Sequence, residues 1–119
     1  MKLISQELID AIERERQRQE AKFPGQKLPA TVVQRLDLNG SYIDMCGAAC
    51  DGCKIPYEGA AKRRCDEQPD WSRVLVEEVS EAISAAGLGD ADHACKELIE
   101  VAAVAIRFHD ALRRGECGL

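Results

Sequence analysis

Two acidic motifs, Glu77-Glu78-Val79-Ser80-Glu81 and Glu97-Leu98-Ile99-Glu100, lie inside stretches whose apolar residues repeat with a helical period. At three-residue spacing Glu78 shares a helix face with Glu81, and Glu97 with Glu100. On the second stretch that face continues through Val101, Val104, Phe108 and Ala111, which directs its two carboxylates toward protein rather than water. An uncompensated buried carboxylate is costly, and it takes up a proton or finds a partner. Few Lys or Arg share those arcs, so a shared divalent cation is the leading expectation. Magnesium suits an all-oxygen donor set and keeps waters for a phosphate substrate, with manganese as the second choice. A di-iron bundle would want Glu-x-x-His pairs, and the corresponding positions here are Glu81 and Glu100. The alternative is a solvated acidic edge, because Glu is common in helices.

The remaining chain also reads as helix. Residues 4–22 carry an apolar stripe of Ile4, Leu8, Ala11 and Ile12, and Phe23-Pro24-Gly25 ends it, since Pro cannot continue a helix. Residues 26–56 are irregular, broken by Gly40, Gly47, Gly52, Pro29 and Pro56, with a short helix expected at 30–36. Further helices are expected at 57–67, 71–86 and 92–114, with Asp70 as the N-cap of the third. Leu75, Val79, Ala82, Ile83 and Ala86 make the expected apolar arc of that third helix. No useful length shows the period-two alternation of a strand. The expectation is an all-α bundle of about four helices in one domain, residues 1–119, with an irregular insertion at 26–56.

A chain of 119 residues buries only a modest core, which makes a homo-oligomer, dimer or tetramer, a plausible source of extra stability. The net charge of −5 argues against a general nucleic-acid binder, which carries a basic balance. No apolar run approaches the roughly 18 residues of a membrane span, and the first residues acquire acids too early for a signal peptide. A cytoplasmic, reducing setting is the expectation, with the six Cys as thiols or metal ligands.

Cys46, Cys50 and Cys53, with Cys65 as a fourth ligand, have a spacing that zinc accepts; free thiols in the insertion are the simpler reading. Cys95 reads as packing and Cys117 as a tail thiol. Arg14, Arg18 and Lys22 recur every four residues and are candidates to clamp phosphate oxygens, or else form a solvated face paired with Glu13, Glu15 and Glu20. Lys96, Arg107, Arg113 and Arg114 are weaker candidates for that job. Trp71 and Phe23 offer faces on which a base could stack, although a lone Trp at a helix start is more often a core anchor. His93 and His109 are too isolated for a nucleophilic or zinc constellation.

Glu77-Glu78-Val79-Ser80-Glu81, fifteen residues, then Glu97-Leu98-Ile99-Glu100 resembles the E-E-x-x-E and E-x-x-D signature of the all-α MazG-like nucleoside triphosphate pyrophosphohydrolases. The run from Glu13 to Phe23 is similar to the E-R-x-R-Q-x-x-K-aromatic leader of small actinobacterial and phage-type members. Trp71-Ser72-Arg73-Val74-Leu75 and the Val101-Ala102-Ala103-Val104-Ala105 tail of the second motif look like the same group. The likeness covers residues 13–25 and 57–114 and leaves out the Cys-bearing middle. It implies magnesium-dependent hydrolysis of a nucleoside triphosphate to a monophosphate and pyrophosphate. It further implies Glu78, Glu81, Glu97 and Glu100 as metal ligands and Glu77, Glu78 and Glu81 as the catalytic carboxylates. Glu77 would orient the attacking water or act behind the ligands. One position departs: Glu100 stands where the signature has Asp, which lengthens that ligand by a methylene. A non-catalytic binding or assembly module on the same bundle is the alternative from a different class.

Overall fold

The computed structural model describes residues 4–29, 58–67 and 69–117, which form four α-helices and no strand. These are α1 (Gln6–Lys22), α2 (Glu58–Glu67), α3 (Trp71–Gly87) and α4 (Ala91–Arg113). The fold is all-α, as the periodicity predicts. The expected helix at 30–36, most of the irregular insertion, and Cys46, Cys50 and Cys53 lie outside the described residues.

Local chemistry sets the helix ends. The Ser5 hydroxyl accepts from the Leu8 amide at 3.2 Å and starts α1, two residues later than the apolar stripe suggests. Asp70 caps α3 by accepting from the Arg73 amide at 2.6 Å, and Asp90 caps α4 by accepting from the His93 amide at 3.0 Å. Each cap satisfies one amide that the first helical turn leaves without a partner. After α3, Gly89 adopts a positive φ of 79°, a conformation open to Gly at no steric cost, and α4 begins within two residues.

α4 is the central element: α3 packs on it most extensively, α1 packs on it from another side, and α2 packs on α3. Trp71, Val104, Ala111 and Cys117 form a buried cluster, joined by Leu28, Val74, Leu75 and Phe108. The Trp71 and Phe108 rings stack with centroids 6.0 Å apart. The Trp71 amide donates to the Pro29 carbonyl at 2.9 Å, which ties the segment after α1 to the start of α3. Among the described residues no helix is long and apolar enough to cross a membrane.

The buried face of α3 differs from the expected arc. Of that arc Ala82 is buried and Leu75 and Val79 are half-buried, but Ile83 is 50% exposed and Ala86 is exposed, while Trp71 and Ala85 from outside it are buried. The small alanines admit close approach between helices, and Trp71 anchors one end, so α3 is turned about its axis toward its acidic side. That turn carries Glu78 and Glu81 into the groove with α4.

Candidate metal centre

Glu78 and Glu81 of α3 meet Glu97 and Glu100 of α4, each offering one carboxylate oxygen, all within 4.8 Å of one another. An octahedral ion with ligands at roughly 2.1 Å holds opposite oxygens about 4.2 Å apart, and one with ligands at roughly 2.4 Å holds them about 4.8 Å apart. The cluster therefore has the dimensions of a single divalent-ion site, slightly expanded relative to magnesium.

The electrostatics are those of a site short of positive charge. Glu78 is pushed up to about 8, first by burial and then by the neighbouring charges of Glu81, Glu100 and Glu97. Burial also raises Glu81 and Glu100 above the usual carboxylate range. Among the described residues, Glu78 Oε2 and Glu97 Oε2 are buried without a hydrogen-bond donor, although Glu97 as a whole is only 8% exposed. A buried acceptor left unpaired is costly, and a cation satisfies both oxygens. The donor set thus fits a hard divalent ion on structural grounds, with Glu78, Glu81, Glu97 and Glu100 as its holders.

Two supports surround the four carboxylates. His93 Nε2 lies 3.0 Å from Glu97 Oε1, one turn earlier on α4. Gln19 of α1, 6% exposed, donates from Nε2 to Glu15 Oε2 at 3.1 Å and to the Glu100 carbonyl at 3.4 Å. The His93–Glu97 spacing of four was available in the sequence as a helix-face neighbour. Gln19 offered no such signal, because its burial depends on how α1 crosses α4.

Glu77 is not one of the four converging carboxylates but borders them, hydrogen-bonded to Glu81. Its carboxylate accepts from the Cys65 thiol of α2, and burial raises it above the usual range. Burial and Glu77 together push Cys65 up to about 12, so this thiol stays protonated at neutral pH. Cys65 is thus occupied by a carboxylate, and its three proposed zinc partners lie outside the described residues.

Beside the carboxylates opens a cleft of about 490 Å³ lined by Glu77, Glu78, Arg18, Lys22, Lys62 and Arg107 among others. Of the α1 cations, Arg18 is forked onto Glu15 at 2.6 Å and 2.7 Å and also lies 3.8 Å from Glu100. Lys22 rests over the Phe23 ring, 5.4 Å from its centroid. Arg14 is exposed and is not part of the cleft lining. Trp71 is corrected from base-stacking candidate to core residue. It is 2% exposed, stacked on Phe108 and covered by Arg107 at 5.2 Å, which leaves no face for a base. His109 sits exposed on α4, its side chain 71% accessible.

No protein-family model, curated protein or solved structure matches this chain.

Proposed function

We propose that this protein is a magnesium-dependent nucleoside triphosphate pyrophosphohydrolase that releases a nucleoside monophosphate and pyrophosphate. The observation that carries the reading is the convergence of Glu78, Glu81, Glu97 and Glu100 within 4.8 Å, at the edge of a cleft that also holds basic side chains. Carboxylates and cations lining one cleft suit a ligand that is polyanionic and metal-bound. The likeness of the two acidic motifs to the MazG-like signature supports the same reading.

A divalent ion held by the four carboxylates would neutralise phosphate charge and acidify a bound water. Glu77 lines the cleft next to that centre. Its raised proton affinity suits it to take the proton of the attacking water. Water oxygen bonds to the α-phosphorus, the bond from that phosphorus to the bridging oxygen of the β-phosphate breaks, and pyrophosphate carries away the electron pair. His93 holds Glu97 Oε1, which leaves Oε2, without a hydrogen-bond donor, as the oxygen that would ligate the ion. Gln19 ties the Glu100 backbone to α1.

The test is pyrophosphate release from a panel of ribo- and deoxyribonucleoside triphosphates with magnesium or manganese and an EDTA control. Metal-dependent release, abolished by Glu97→Gln in a protein that keeps its helices, is the expected result. Unchanged turnover in Glu97→Gln overturns the catalytic assignment. Silence across the panel from folded protein overturns the enzyme reading in favour of a binding module.

A further inference from the structure

Arg107 is a charged residue in an unusual position. Its side chain is only 7% exposed, it lies over the Trp71 ring, and it lines both the carboxylate cleft and a second cleft of about 350 Å³ behind it. A buried guanidinium requires a counter-charge and full hydrogen bonding. Among the described residues its polar contacts are long: Nη2 to Glu20 Oε2 at 3.4 Å and to Gln26 Oε1 at 3.3 Å. Glu20 is itself 57% exposed, so its attraction is screened and readily exchanged for a stronger anion. Arg18 contrasts with this, because its fork is already filled by Glu15 at short range.

Position along α4 adds a second argument. Arg107 follows Glu100 by seven residues, nearly two full turns, so both occupy one helix face roughly 10 Å apart along the axis. A triphosphate chain whose α-phosphate lies at the carboxylates extends along α4 toward Arg107. Lys22, the last residue of α1, lines the same cleft as Arg107.

We propose that Arg107, with Lys22, is the anion grip of this cleft and holds the β- and γ-phosphates of a nucleoside triphosphate. Binding exchanges the weak Glu20 contact for bidentate phosphate contacts, the geometry for which a guanidinium fork is suited. The ligand class rests on the proposed function, but the grip works without the metal. Its failure and that of the metal centre are therefore separable.

The experiment uses inorganic tripolyphosphate in EDTA, followed by calorimetry and by the fluorescence of Trp71, the single tryptophan. Wild type is expected to bind saturably with a change in Trp71 emission as Arg107 shifts on the ring. Arg107→Gln weakens binding by roughly tenfold or more, the scale of one charge-assisted hydrogen bond. Lys22→Gln, at an exposed position that leaves the core intact, also weakens it. Glu20→Gln, which removes the competing carboxylate, tightens it. Glu97→Gln leaves this metal-free binding in place even where it abolishes manganese binding. Absence of saturable binding, equal affinity in Lys22→Gln and wild type, or weaker binding in Glu20→Gln overturns the proposal. So does loss of binding in Arg114→Gln with Lys22→Gln unaffected, which places the anion in the rear cleft.

Discussion

Replacing Glu78 by Gln separates the electrostatic cost of the carboxylate cluster from its use as a metal site. Glu78 is raised from 4.5 to about 8 by burial and by three neighbouring carboxylates. Between those values the unfolded chain has released a proton that the folded protein keeps, so metal-free stability falls as pH rises through this window and levels off above it. The full displacement corresponds to about 5 kcal/mol. Partial solvent access screens the group and brings the expected cost to about 2 kcal/mol. Glu78→Gln keeps the shape and removes the charge. In EDTA at pH 8.5 the variant is therefore expected to melt about 6–10 °C above wild type, with the two converging near pH 4.5. Manganese at ~100 times its dissociation constant adds about 2.7 kcal/mol to wild type alone, which cancels or reverses the order. Thermal denaturation across pH, with and without metal, reads both effects. A Glu78→Gln protein less stable than wild type in EDTA at pH 8.5 would refute the picture of mutual repulsion.

Glu100→Asp shortens one of the four converging carboxylates, and on the proposed function it is expected to change the ratio of magnesium to manganese affinity severalfold by calorimetry. Equal ratios would mean that Glu100 is not a ligand. Trp71→Ala is expected to cost about 3–5 kcal/mol in denaturant unfolding, the range for an aromatic core truncation. A cost below about 1 kcal/mol would show that Trp71 does not anchor the junction of α3, α4 and the 24–29 segment. Under native conditions at pH 8, Cys95, which is exposed, should react with a thiol reagent well before Cys65, held as a thiol by its raised pKa of about 12. Peptide mapping of the labelled protein checks this, and early labelling of Cys65 would contradict the burial of the α2–α3 contact.

Periodicity, caps and spacing together determined that the described elements are helices, where those helices end within a residue or two, and which carboxylates share a face on each. Those are properties of a helix with its own first and last turns: Asp70 captures an amide three residues on whatever lies across from it. The pairing of Glu78 with Glu81 and of Glu97 with Glu100 follows in the same way from about 100° per residue. The rotation of α3 belongs to the tertiary structure. Of the expected arc, Ile83 and Ala86 are left exposed, while Trp71 and Ala85 join Ala82 on the buried side because a large anchor and small neighbours fit α4 better. Only that choice brings the two carboxylate pairs together, places Glu77 between Glu81 and Cys65, and seats Trp71 beneath Arg107 rather than beneath a ligand. A sequence specifies the phase of each helix about its own axis; which arc faces a neighbour is decided by the shapes of both surfaces when they pack.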